Sequence, residues 1–386
     1  MTDDDKNQGF KLISNTIDGD EIYLNHDSIV VKFAGKKNGI VSSWLNGGYR
    51  EDLSAVFNHQ LSQENIDEYD DGGILGFLEK LSQYFYDELD LQNDKLSGLV
   101  TSAQIDKYSI AIERYKDIEV LAITTAGARV NAVSAGDVAS YYELNGEYDF
   151  DLNSDDCDSN LNSDDCDSNL NSNEINPNKP GTINTIILIN SKLDESSLLL
   201  AEMVAVEAKA VALRDLMVSS NYSSEIATGT GTDGIAIFSN LESEGFIENV
   251  SKHAKIGEMI GKAVIRSVKD ALAELQWLTP SYQLNALVRL DRFKMSLDEF
   301  YDEVVDANDE DEKKEFILSL IKVSRNPELV GYVSLIIHII DQYRVGLLSE
   351  KAALKVSYSI LDSHFNRDDW HSMKLLLRYV VGKQIV

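Results

Sequence analysis

Proline and cysteine are scarce in this chain: four and two in 386 residues. So few cysteines exclude a disulfide framework, and so few prolines exclude an extended proline-rich linker. No apolar run reaches the roughly 18 residues of a membrane-spanning helix. The opening MTDDDKNQGF has neither the basic nor the apolar region of a signal peptide. A cytoplasmic protein without membrane contact is therefore expected. Basic residues are also short, 35 Lys and Arg against 65 Asp and Glu, for a formal net charge of -30. Such a surface repels a phosphate backbone, and no compact basic patch interrupts it, so nucleic acid is not an expected partner. A neutral or cationic ligand is.

What the chain has is enough apolar residue, 43%, to bury a substantial core, divided between two units. Both cysteines, Cys157 and Cys166, fall in LNSDDCDSNLNSDDCDSNLNSNEINPN, a nine-residue unit written twice and begun again. From Asp151 to Glu174 it holds eight acids, no Lys or Arg and almost nothing apolar. Burial cannot offset the entropy of ordering it, so 151–178 is expected to be a disordered insertion. Its Asp and Asn oxygens suit a hard cation, but the Gly and closing Glu of an EF-hand loop are missing.

Around the insertion, strands and helices mix. SIVVKFA (28–34), GIVSS (39–43), GLVTSA (98–103), IEVLAITTA (118–126), TINTIILIN (182–190) and IAIF (235–238) have strand composition. Residues 74–89, 194–216 and 255–275 have helical composition or spacing. Residues 28–280 are thus expected to form one α/β or α+β catalytic domain, preceded by an N-terminal segment, 1–27. Beyond Pro280 the apolar residues recur at helical spacing only, which predicts an all-helical extension over 281–386, the kind of unit that serves docking or homo-oligomer formation. His364 and His371, seven apart in this region, are expected to share a helix face.

ATGTGTDGIAIF (227–238) places Gly229, Gly231 and Gly234 in the G-x-G-x-x-G spacing of a dinucleotide turn. The context is reversed, however. That turn needs a strand before the glycines and a helix after them, whereas here a helix precedes and a strand follows. Other polar loops also border strands: VSSWLNGGY (41–49), TTAGARVNAVSAGD (124–137), GTINTI (181–186) and SKHAKIGEMIG (251–261). They are dense in Asn, Ser, Thr and Gly and poor in charge, a makeup suited to many hydrogen bonds with a neutral, amide-rich ligand.

Taken in order, VSSWLNGG, TAGARVNAVSAGD, GTINTI, EAKAVAL, ATGTGTDG and KHAKIGEMIGKA give the chain a resemblance to the adenosylcobinamide amidohydrolase family over about residues 28–290. The acidic repeat has no counterpart in that pattern. The resemblance implies hydrolysis of the amide between the corrin ring and the aminopropanol arm of an adenosylated corrinoid, with the corrinoid as substrate and no further cofactor. A non-catalytic corrinoid carrier on the same scaffold, or a structural protein working through its helical half, are the competing readings.

Amide hydrolysis needs a nucleophile, oxyanion donors and an acid for the departing nitrogen. The six histidines are scattered and H-E-x-x-H is absent, so a metal-bound water is not expected. Asp233 could draw a proton from water or from Thr228, Thr230 or Thr232, or could simply cap its loop. Glu207 and Lys209 interrupt an apolar helix and face differently; a buried Glu207 could serve as acid or base. His253, the histidine within a motif, is a candidate general acid. Asn46, Asn131 and Asn184 offer amides, and Gly47 and Gly48 offer N–H groups near Ser42 and Ser43, for substrate binding or for turns. Gly257 and Gly261 are expected to let their helix pack closely on a strand.

Overall fold

The structure, a computed structural model, describes residues 9–61, 73–91, 95–149, 181–301, 303 and 310–385. The acidic repeat with both cysteines lies outside the described residues. Fifteen strands are numbered in chain order: β1 (Lys11–Asn15), β2 (Glu21–Leu24), β3 (Ser28–Lys32), β4 (Lys37–Val41), β5 (Gly48–Arg50), β6 (Ala55–Gln60), β7 (Leu96–Thr101), β8 (Ser109–Tyr115), β9 (Ile118–Ala126), β10 (Ala132–Val133), β11 (Tyr142–Leu144), β12 (Glu147–Asp149), β13 (Ile183–Ile189), β14 (Gly229–Thr230) and β15 (Gly234–Asn240). Three long helices accompany them, α1 (Gly73–Leu89), α2 (Glu195–Asp215) and α3 (Lys255–Gln276).

The strands build two sheets, in the orders β1-β2-β3-β6-β7 and β5-β4-β15-β13-β9-β8. Pairing is antiparallel in both except for β6 with β7 and β13 with β15. Side chains of a strand alternate between faces, so each sheet serves two cores. From the first sheet, Ile29, Val31 and Val56 meet Leu121, Ile123, Ile186, Leu188 and Phe238 of the second. Val30 and Phe57 turn the other way, onto Phe77, Leu78 and Phe85 of α1. On the far side, Val120, Ala122, Ile187 and Ile237 pack against α2 and α3. The layers therefore run helix, sheet, sheet, helices: a mixed α/β unit. The N-terminal segment does not stand apart from it, because β1 and β2 extend the first sheet through β3.

Buried polar side chains tie the layers together. Between the sheets, Asn184 Nδ2 donates to Asn58 Oδ1 (2.8 Å) and to the Val100 carbonyl (2.7 Å), while Asn58 Nδ2 donates to Thr125 Oγ1 (2.9 Å). On the helix side, the Thr124 hydroxyl bonds those of Thr185 (3.0 Å) and Ser267 (2.8 Å). Gly257 is tight because a Cβ there would lie 2.2 Å from the Ser251 carbonyl oxygen, whereas Gly261 has open space. The close approach is thus to the loop leading into α3 and not to a strand.

Helices follow from Pro280 onward, the main ones being α4 (Glu310–Val323), α5 (Pro327–Arg344), α6 (Glu350–His364) and α7 (His371–Gln384). Asn326 and Ser349 cap α5 and α6 by accepting from backbone N–H groups of the first turn. A second core gathers Val333, Ile336, Ile340, Leu361, Trp370, Leu377 and Val381. His364 and His371 do not share a helix face, because residues 365–370 break the chain between α6 and α7; His364 stacks on Tyr332 instead. Arg292 and Lys294 donate to the carbonyls of Ser224 and Asn221, joining the helical region to the mixed unit. No helix among the described residues is long and apolar enough to cross a membrane.

Candidate active site

At one end of the central strands β13 and β15, three sequence motifs meet. The glycine loop follows α2 and leads into β15, so its N–H groups are not presented by a helix N-terminus; the dinucleotide geometry is absent. Asp233 closes this loop. Its Oδ1 accepts from the Ile183 N–H (3.0 Å) and the Thr230 hydroxyl (2.5 Å); its Oδ2 accepts from the Thr230 N–H (3.0 Å) and from the Lys209 ammonium. Lys209 reaches in from α2, and the two side chains are 17% and 14% exposed. The pair is therefore shielded from bulk water yet open to a ligand.

Lys209 and Asp233 border a cavity of about 210 Å³, with Ser42, Thr185, Glu202 and Gly234 among its other walls. Glu202, Ala205, Val206 and Lys209 follow the i, i+3, i+4, i+7 spacing of one helix face. Opposite, the Ser42 hydroxyl accepts from the Ile235 N–H (2.8 Å) and faces its carbonyl (3.1 Å). Val206 lines this cavity and is exposed, and Leu199 and Met203 on the same helix and Trp44, two residues from Ser42 in sequence, are further large apolar side chains left exposed.

Of the three threonines in the glycine loop, Thr230 is the one bonded to Asp233. The Thr228 hydroxyl accepts from the Ala135 N–H (2.8 Å), and the Thr232 hydroxyl bonds that of Thr182 (2.7 Å). Thr232 also donates to the Gly181 carbonyl, as does Asn131 Nδ2, both at 3.2 Å. Asn131 in turn accepts from the Tyr222 hydroxyl (3.1 Å). The motifs around Asn131, Gly181 and Asp233 are thereby locked to one another.

The remaining residues singled out from sequence do not line this cavity. Ser43 donates to the Gly98 carbonyl (2.5 Å) and Asn46 to that of Leu96 (2.7 Å). Asn46 and Gly48 have φ of +48° and +79°, and a Cβ on Gly47 would strike the Ser43 carbonyl oxygen at 2.0 Å. These residues make the turn that presents Ser42. Asn184 is 1% exposed between the sheets, away from solvent. Glu207 is not buried; it lies on the outer face of α2, half exposed and paired with Lys252. His253, next to that lysine, is also exposed, and neither joins Asp233. Sequence reasoning missed Glu202, Thr182, Thr185 and Asn58; the helical spacing of Glu202 from Lys209 was the signal available for the first.

A family model for adenosylcobinamide amidohydrolase matches residues 13–280, leaving the helices beyond it outside the match. An uncharacterised protein of Methanocaldococcus jannaschii is 27% identical over 267 residues, which covers 67% of this chain and 91% of that protein. Among solved structures, a protein from Pyrococcus horikoshii OT3 aligns at 11% identity and a TM-score of 0.29. An L-aminopeptidase D-Ala-esterase/amidase from Ochrobactrum anthropi, described as a variant of the Ntn hydrolase fold, aligns at 8% identity and a TM-score of 0.30. Each of these alignments covers 69% of this chain and 83% of the other.

Proposed function

The chain belongs to the adenosylcobinamide amidohydrolase family, and on that premise we propose that it hydrolyses the amide joining the corrin ring to the aminopropanol arm of adenosylcobinamide, releasing adenosylcobyric acid. The observation that carries this reading is the Thr230–Asp233–Lys209 chain, of which Asp233 and Lys209 line the cavity and Thr230 lies buried behind Asp233: a hydroxyl, a carboxylate within hydrogen-bond reach of it, and a cation that orients the carboxylate.

Asp233 takes the Thr230 proton along the bond they already share, so none of its other donors has to move. The hydroxyl oxygen attacks the amide carbonyl, and the Lys209 ammonium stabilises the oxyanion. Collapse breaks the C–N bond, and the amine leaves with the proton held by Asp233. Water then hydrolyses the Thr230 ester, giving the carboxylic acid and restoring the hydroxyl. Only the substrate arm enters the cavity. The broad corrin body rests outside, on the apolar surface of Trp44, Leu199, Met203 and Val206, which burial would remove from water. Cobamides with a nucleotide loop carry the same arm amide and are substrates on this reading.

Incubation of the protein with adenosylcobinamide, with mass detection of adenosylcobyric acid and of an acyl adduct on Thr230, tests the proposal. Unchanged adenosylcobinamide after prolonged incubation would leave the protein a corrinoid binder.

A further inference from the structure

We propose that the helical region adds a second small-molecule site, one that binds a phosphate group, at its seam with the mixed α/β unit. The site is a cavity of about 170 Å³, apart from the Lys209–Asp233 cavity and lined by different residues. Arg214 and Ile226 enter it from the family domain, and Arg289, Arg292, Ile337 and Asp341 from the helices beyond residue 280.

Three guanidinium groups in one small cavity are unexpected in a chain of net charge -30, and their partners leave positive charge in excess. Arg292 is neutralised: it is 7% exposed and forks onto both oxygens of Asp341, with its Nε on the Ser224 carbonyl. Arg289 is not neutralised. Its Nε donates to the Gln283 carbonyl (2.9 Å) and its Nη1 to the Ser334 hydroxyl (2.7 Å), both uncharged acceptors, and its Nη2 is left to donate elsewhere. Burial pushes the Arg289 pKa below the ordinary arginine value, as expected of a cation without a counter-charge. Arg214 bonds Asp215 at 3.3 Å, but that carboxylate is shared with Lys269 at 2.7 Å, so two cations stand on one acid.

Among the described residues two positive charges are thus in excess, one on Arg289 and one where Arg214 and Lys269 share Asp215. A dianion matches this excess, whereas a single carboxylate would leave half of it. Phosphate also presents several oxygens to guanidinium forks. The apolar part of the wall, Met217, Ile226 and Ile337, has room for a short alkyl substituent. A small phosphate monoester is therefore preferred over inorganic phosphate.

Isothermal titration calorimetry of the full chain at low ionic strength tests this, with inorganic phosphate, ethyl phosphate and acetate as titrants. One saturable site is expected, with ethyl phosphate bound more tightly than phosphate and acetate least. Arg289→Met should abolish binding. Because Arg289 also braces Gln283 and Ser334, exposed Arg214→Gln provides a variant with little risk to folding, and it should weaken binding at least roughly tenfold. Absence of saturable binding to the wild-type protein, or equal affinities in wild type and Arg214→Gln, would overturn the proposal. Neither result bears on corrinoid hydrolysis.

Discussion

Replacing Asp233 by Asn should destabilise the protein by more than the loss of a loop cap, and the structure sets the amount. Each carboxylate oxygen accepts two hydrogen bonds. An amide has one oxygen and one NH2 group: with the NH2 on the Oδ2 side the Thr230 N–H and Lys209 face a donor, and with it on the Oδ1 side the Ile183 N–H does, since the Thr230 hydroxyl can turn to accept. Lys209, 17% exposed, also loses its counter-charge. Breaking a buried ion pair from one side costs about 3–5 kcal/mol; solvent at this partly open pair lowers that to roughly 2–3 kcal/mol. A cap alone would lose less than about 1 kcal/mol, since Asn caps nearly as well as Asp. Lys209→Met in the Asp233→Asn background removes the stranded cation, so the double variant should be less destabilised than the two single losses summed, by about 1.5 kcal/mol or more. Urea denaturation of the full chain, followed by circular dichroism with the slopes held common, measures all four proteins. If Asp233→Asn loses under roughly 0.5 kcal/mol, or the two substitutions add, the ion pair does not organise this site.

Thr230→Val keeps shape but removes the hydroxyl; we expect kcat to fall on the order of 10²-fold or more, with Thr230→Ser far less affected, and wild-type turnover by the Val variant would remove Thr230 from the mechanism. In β4, a Cβ on Gly39 would sit 2.3 Å from the Phe238 ring and 2.5 Å from the Ile237 carbonyl oxygen. Gly39→Ala should therefore cost at least about 2 kcal/mol, visible as a lowered melting temperature, and an unchanged melt would contradict the packing described. Burial pushes the His59 imidazole from 6.5 down to about 4. Above pH 6.5 it is neutral in both states, but between 6.5 and about 4 the unfolded chain binds a proton that the folded one refuses, so stability falls by up to roughly 3 kcal/mol as pH drops. His59→Gln should flatten that part of the stability profile, and equal slopes in variant and wild type would assign the acid sensitivity to other groups.

What the sequence revealed, and what it hid, follows from whether a residue's partner is near in sequence. IEVLAITTA reads as a strand over 118–126 and is β9 over those residues, because six of its nine side chains are apolar and all but Ile118 are buried, on both faces. β6, AVFNHQ, escapes because Asn58 and His59 look like solvent-facing residues, and partners far away in the chain, Thr125 and Asn184 for Asn58 and Ser28 for His59, help make their burial tolerable. The polar loops are legible as site material since their Gly, Asn and Thr content has no use in a core. Their internal division of labour is not. Lys209 and Asp233 find each other only through the rotation of α2 on its sheet, and α2 hides that rotation: Leu199, Met203 and Val206 are exposed while Ala201, Ala205 and Ala208 are buried, so apolar periodicity marks no single inner face. With the inner face unmarked, Glu207 is as plausible from sequence as Glu202. An apolar outer face beside a polar cavity departs from the amphipathic rule, and departures of that kind concentrate where a surface meets a ligand. The feature that defeats the prediction of the helix face is thus the same one that supports a broad apolar substrate at this edge of the fold.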